Sequence, residues 1–202
     1  MSTGTVFEAE QYFAELRRVT AHLPFSVIDA ATAELWRANS NGRAIYVFGN
    51  GGSAALASHF ACDLGKGTAQ SGSGPRFRIV ALTDNVPILT AWANDSSYDD
   101  VFAEPLRNLV QPGDVAVAIS CSGSSANVIR ALQVARGSGA RTIGFTGFQG
   151  GQMKSLCDIC IVVPSDNMQI IEDVHLSIAH TAFTIIRNRR IQVAAEAAVG
   201  KL

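Results

Sequence analysis

Cysteine is scarce in this 202-residue chain, where Cys62, Cys121, Cys157 and Cys160 are the four present, unevenly spaced. So few exclude a secreted scaffold held by disulfides. Cys157-Asp158-Ile159-Cys160 has the C-x-x-C form, but no second pair follows at zinc-ribbon spacing. It leads into an apolar run, so both are expected to be ordinary strand cysteines. Charge is sparse as well: charged residues make up 16%, the formal net charge is −1, and basic residues cluster only at Arg187, Arg189 and Arg190. A nucleic-acid partner is therefore not expected, and the three arginines are expected to solvate the C-terminal end of a helix. No uninterrupted apolar run approaches the ~18 residues that cross a bilayer, which excludes a membrane helix. Residues 1–10 lack the basic and apolar regions of a secretory signal, so a cytoplasmic location is expected.

What is present is the composition of a globular protein, 48% hydrophobic with 18 glycines and 6 prolines. One domain over residues 1–202 is expected. Amphipathic stretches at 6–23 and 25–40, separated by Pro24, predict a helical hairpin within residues 1–42, packed on a sheet or on a partner subunit. Five short β-rich runs follow, at 44–48, 77–82, 115–119, 141–145 and 159–163. Each is succeeded by a loop of glycine, serine, asparagine or aspartate and a stretch of helical period. Such alternation predicts an α/β fold with a parallel sheet and helices on both faces. Ligands of such sheets gather at the carboxyl ends of the strands, which directs attention to loops 49–53, 83–86, 120–125, 146–151 and 164–167.

Two of these loops have the chemistry of an anion site. Gly49-Asn50-Gly51-Gly52-Ser53 follows the first strand, and its glycines permit positive φ and close approach, presenting N–H groups and a hydroxyl at a helix start. Ser120-Cys121-Ser122-Gly123-Ser124-Ser125 follows the third strand and adds four hydroxyls before a second helix. Serines also cap helices and glycines also turn chains. The occurrence of both loops at one sheet edge favours a bound phosphoryl group. Gly49, Gly51 and Ala54 also fit a dinucleotide fingerprint, but its acid would have to be Asp84, about ten residues late. The serine loop has no part in that reading, and no nucleotide cofactor is expected.

Gly49 to Ser53, His59-Phe60, Asn94-Asp95, Ile119 to Gly123, Ser125-Ala126-Asn127-Val128, Gly144 to Gly147, Val163-Pro164-Ser165 and Val174-His175 follow the pattern of sugar isomerase (SIS) domains. Over residues 44–187 the chain resembles the sedoheptulose 7-phosphate isomerase group. The resemblance implies a three-layer αβα sandwich around a five-stranded parallel sheet of flavodoxin-like type. It also implies a homotetramer with sites at subunit interfaces, and a phosphorylated sugar as ligand. The phosphate would be held by Ser120, Ser122 and Ser125 with backbone help from Cys121, which stands where relatives often carry threonine. Asn50, Ser53 and Asp95 would line the sugar chain beside the turn residues Gly51 and Gly52.

Interconverting an aldose and a ketose phosphate needs a base, an acid and a group that polarises the carbonyl. His59 and Asp63 lie four apart on one predicted helix, where such a pair makes either a surface hydrogen bond or half of a metal site. Glu172, His175 and His180 accompany the apolar stripe Val174, Ile178, Ala182 and Ile185, where a histidine is either packed or functional. The resemblance implies that His59, Asp63, Glu172 and His180 are ligands of a divalent metal, zinc in the first instance, or the acid/base set, with Asp63, Glu172 and His180 catalytic. Relatives carry His, Glu, Gln and His there. Asp63 therefore withdraws a carboxylate by one methylene, and Glu172 adds one that could take over as base. Glu172 and His180 are ~12 Å apart along a straight helix, so either they lean toward one ion or the ligands come from different subunits.

The implied function is aldose–ketose isomerisation of sedoheptulose 7-phosphate or a related ketose phosphate through an enediol. An alternative is a tetrameric adaptor without catalysis, since Asp84-Asn85-Val86, Leu89-Thr90 and Ala93-Asn94-Asp95 resemble a group that binds the bacterial replication initiator. Those adaptors tend to lack the last histidine. His180 together with His59 favours the enzyme.

Overall fold

The structure is a computed structural model that describes residues 8–69 and 74–199. Five parallel strands form one sheet in the order β2-β1-β3-β4-β5: β1 Ala44–Gly49, β2 Arg78–Ala81, β3 Val115–Ile119, β4 Arg141–Thr146 and β5 Ile159–Val162. Each matches a β-rich run of the sequence to within a residue at either end. β3 and β1 are nearly continuous apolar runs because both of their faces are covered. Ile45, Val47, Val115, Val117 and Ile119 point into one core, while Ala44, Tyr46, Phe48, Ala116 and Ala118 point into a second on the opposite face. Period-two alternation thus divides the apolar residues between two layers.

The first core is closed by α1 (Ala9–Thr20), α2 (Phe25–Ser40), α3 (Gly52–Cys62) and α8 (Met168–Val199). The predicted hairpin is α1 and α2; residues 6 and 7 lie outside the described residues. Ile28, Ala31, Leu35 and Ala38 make the buried stripe of α2 at helical spacing. The second core is closed by α5 (Ala103–Leu109), α6 (Ala126–Gly137) and α7 (Met153–Leu156). Between β2 and α5 runs α4 (Val86–Asp95), none of whose residues is buried. No helix among the described residues is long and apolar enough to cross a membrane.

The arginine cluster differs from expectation. α8 does not end near Arg190 but continues to Val199, through a segment of alanine, glutamate and valine with no glycine or proline to stop it. Arg189 stacks on Trp36, its guanidinium carbon 4.7 Å from the ring centroid. Arg190 is buried and donates to the carbonyls of Pro75 and Gly74. These cations are therefore built into packing rather than solvating a terminus. Cys157 and Cys160 are free thiols packed against the second core; Cys160 lies in β5 as expected, whereas Cys157 caps the end of α7 just before that strand.

The chain leaves β1 outward to β2 and then returns to β3 on the other side of β1, so the strand order reverses between β1 and β3. Crevices at such reversals, beyond the carboxyl ends of the strands, are where open α/β sheets bind ligands. Gly49 pairs with Ile119 in the register of these two strands. That pairing sets loop 49–53 directly beside loop 120–125.

Candidate active site

Gly51 has φ 56 and ψ −123, a backbone state open to glycine, and this allows the chain to turn sharply from β1 into α3. The serine loop turns at Gly123, φ 64, where any side chain would run into the Gly150 carbonyl. Its backbone is anchored from β4: Ser120 N donates to Phe145 O at 3.0 Å, and Gly147 N and Thr146 Oγ1 donate to Cys121 O at 2.8 and 3.2 Å. The hydroxyls of Ser120 and Ser125 lie 3.2 Å apart and those of Ser120 and Ser122 3.5 Å apart. Ser125 occupies the N-cap of α6, yet its side chain caps nothing. Capping therefore does not account for it, and its hydroxyl faces its neighbours across a small cavity.

That cavity, about 140 Å³, is lined by Asn50, Ser53, Ser120, Cys121, Ser122, Ser125, Met168 and Glu172. Wider surface hollows of about 480 and 420 Å³ lie elsewhere, beside Arg18 and Asp166 and along the β2 edge. Neither gathers a comparable set of hydroxyls. Glu172 reaches in from α8, with Oε1 4.0 Å from Cys121 Sγ. Burial and then the Glu172 carboxylate push the Cys121 thiol up to about 11, so it stays protonated at neutral pH. Glu172 rests against the bare α-carbon of Gly52, where an atom at the Cβ position would lie 2.5 Å from Oε2 and 2.9 Å from Oε1. The Gly52→Ala variant is thus expected to displace this flexible carboxylate. Activity should fall at least about tenfold, since a ~1 Å misplacement costs up to ~100-fold, while the thermal midpoint barely moves. An assay beside a melting curve checks it, and unchanged activity would show that the position of Glu172 is immaterial.

A second cluster forms where α3 packs on α8. His59 Nε2 lies 2.9 Å from His180 Nε2, and Asp63 Oδ2 is 3.4 Å from the first and 3.7 Å from the second. The three ligand atoms all lie within 4.8 Å of one another. Donors around a tetrahedral zinc at ~2.0–2.1 Å sit about 3.3 Å apart, so the observed spacing fits such an ion, with a fourth position open. Asp63 also begins a π-helical segment, Asp63–Gly67, that continues α3. Such widened turns recur at functional sites, and this one starts at the residue whose side chain is a methylene short.

The structure therefore brings most of the sequence-predicted residues together, in two groups rather than one. Among the described residues Glu172 is absent from the histidine cluster and belongs to the serine cavity instead, as its eight-residue separation from His180 along α8 dictates. Asp95 does not line the cavity: it is exposed at the end of α4, accepting from Asn94 Nδ2 at 2.7 Å. Gly51 serves the turn, and Asp84 accepts from the Ser58 hydroxyl. Two residues given no role from sequence enter the site, Asn127 and Tyr98, both bonded to Asn50. Asn127 stood in a quoted motif, in the first turn after the serine loop. Tyr98 carried no sequence signal at all.

His175 is fully buried on α8 with its ring 5.9 Å from that of Phe145. Its Nε2 donates to Thr146 O at 3.2 Å, while Nδ1 has no partner among the described residues. The packed reading of this histidine is the one observed.

Comparison with known proteins agrees with this geometry. A SIS domain family model matches residues 11–147. A probable phosphoheptose isomerase of Thermoplasma acidophilum is 40% identical over 179 residues, 89% of this chain and 97% of that protein. A phosphoheptose isomerase of Aliarcobacter butzleri is 46% identical over 149 residues, covering 73% and 77%. The solved phosphoheptose isomerase of Neisseria gonorrhoeae superposes with a TM-score of 0.81 at 32% identity, over 88% of this chain and 95% of that one. Serine loop, histidine cluster and strand order thus occur in a chain that belongs to the SIS domain family, among the phosphoheptose isomerases.

Proposed function

We propose that the protein is an aldose–ketose isomerase of sugar phosphates, acting on sedoheptulose 7-phosphate or a closely related ketose phosphate. The observation that carries this reading is the serine-lined cavity with one carboxylate, Glu172, on its wall, beside a His–Asp–His cluster on the same pair of helices. Ser120, Ser122 and Ser125 donate to the phosphate oxygens, supported by the N-terminus of α6. Asn50 and Ser53 contact the sugar chain. Glu172 takes a proton from the carbon beside the carbonyl, giving an enediol, and returns it to the former carbonyl carbon as the ketose becomes the aldose. His180 would serve as the acid partner only where no ion is held by it, since a metal-bound imidazole nitrogen carries no proton to give. The alternative adaptor reading draws no support from relatives that are named isomerases.

His59, Asp63 and His180 are the residues that would hold a divalent cation, zinc by the chemistry of two imidazoles and a carboxylate. When bound, such an ion supplies Lewis-acid polarisation of an oxygen. Dialysis against a chelator is expected to lower activity at least tenfold, with recovery on adding Zn²⁺. His59→Ala should reduce the bound zinc measured by atomic emission. Full activity in metal-free protein would remove the ion from this reading.

At about 140 Å³ the cavity is well below the ~300–1,000 Å³ usual for ligand pockets. This supports a site completed by neighbouring subunits of a homotetramer. Incubation with sedoheptulose 7-phosphate followed by ¹H and ³¹P NMR tests the function directly. A new aldoheptose phosphate is expected, and absence of turnover with and without Zn²⁺ would end the proposal.

A further inference from the structure

We infer that Asn127 and Tyr98 are positioning residues that hold Asn50 as a donor-only contact, so that Asn50 reads a substrate oxygen acting as acceptor. The inference rests on the phosphosugar reading above. Asn127 is 3% exposed in the first turn of α6, and its carboxamide is oriented by its own helix: Val128 N donates to Asn127 Oδ1 at 2.9 Å. That bond decides which end of the amide is oxygen. Asn127 Oδ1 then accepts from Asn50 Nδ2 at 2.9 Å, and Asn127 Nδ2 donates to Asn50 Oδ1, also at 2.9 Å. Two amides are closed into a reciprocal pair.

Tyr98 completes the arrangement. It sits in the short 3-10 turn Tyr98–Asp100 after α4, 60% exposed, and its hydroxyl donates to Asn50 Oδ1 at 3.1 Å. A carboxamide oxygen accepts two hydrogen bonds and its nitrogen donates two. Both acceptor positions of Asn50 are therefore filled, and one of its two N–H bonds is used. The group left over, on a residue that lines the serine cavity, is a single N–H. Its complement on a ligand is a carbonyl or hydroxyl oxygen offering a lone pair. The same pair ties loop 49–53 to the start of α6, so the turn that meets the sugar and the helix behind the serine loop move as one unit.

Calorimetric titration of the full-length protein with sedoheptulose 7-phosphate and, separately, with inorganic phosphate tests this. Tyr98→Phe removes only an exposed hydroxyl and should weaken sugar-phosphate binding about 3- to 10-fold, the span of one modest hydrogen bond, while inorganic phosphate binding stays within about twofold. Asn127→Ala should show a larger loss of the same selectivity. In an Asn50→Ala background, Tyr98→Phe should have no further effect. Unchanged sugar-phosphate affinity in Tyr98→Phe, equal losses for both ligands, or a full effect of Tyr98→Phe without Asn50 would each overturn the inference, even if Asn127→Ala fails to fold. Wild-type protein that ignores sedoheptulose 7-phosphate would overturn the phosphosugar reading and this inference together.

Discussion

The Glu172→Gln variant is expected to lose about 10²- to 10⁴-fold in kcat, the usual contribution of a positioned general base, with KM nearly unchanged. The substitution keeps shape and volume, so the contact with Gly52 and the opening of the cavity persist. What disappears is a lone pair basic enough to take a proton. Because Glu172 lies outside the His59, Asp63 and His180 group, the same variant should retain the metal content of the wild type. Steady-state kinetics beside metal analysis separates the two roles. Near-normal kcat in Glu172→Gln, with activity lost in Asp63→Asn instead, would return the base to α3 and refute the assignment to α8.

A second large effect is expected in stability against pH. His175 is buried, and desolvation lowers its pKa to about 4, opposed in part by the bond to Thr146. The carbonyl can only accept, so Nε2 carries the hydrogen and the proton of the charged form must enter at Nδ1, which is buried with no hydrogen-bond partner among the described residues. In the unfolded chain the same imidazole has a pKa near ~6.5. Protonation is thus easier in the unfolded state. The contribution of His175 is complete above pH ~6.5 and is lost as pH falls toward about 4, amounting to about 3 kcal/mol by linkage.

Urea unfolding at pH 7, 5.5 and 4.5 should therefore show the wild type losing stability more steeply than His175→Gln, which cannot titrate but can still donate to Thr146. Parallel curves for the two proteins would sink this account. Thr146, which accepts from His175 through its carbonyl, also donates its hydroxyl to the Cys121 carbonyl in the serine loop.

Much of the architecture was legible in the chain. The runs around Val47, Val117 and Ile143 are apolar and β-branched, and a loop of glycine or serine closes each, so strand and loop declare themselves by local chemistry. The helical hairpin was equally legible, broken by Pro24, whose ring disfavours continuing a helix. The arginines near residue 190 were misplaced because nothing local marks the end of a helix whose continuation is alanine-rich. Glu172, grouped with the histidines through the resemblance, lies in this chain on the serine cavity instead, because residue type and spacing do not say toward which neighbour a long side chain leans.

Sequence alone determined the alternation of elements and the two hydroxyl-bearing loops at one sheet edge. These follow from periodicity and side-chain chemistry, which act over a few residues, whereas His59, Asp63 and His180 became candidates only through the family resemblance. Only the tertiary structure decided that His59 meets His180 across 121 positions, that Glu172 faces the serines, and that Asn127 and Tyr98 hold Asn50. Such meetings depend on how α3 and α8 pack across the sheet and on which side of the sheet each loop emerges. That choice is made by the burial of two whole cores at once, and no single segment contains it.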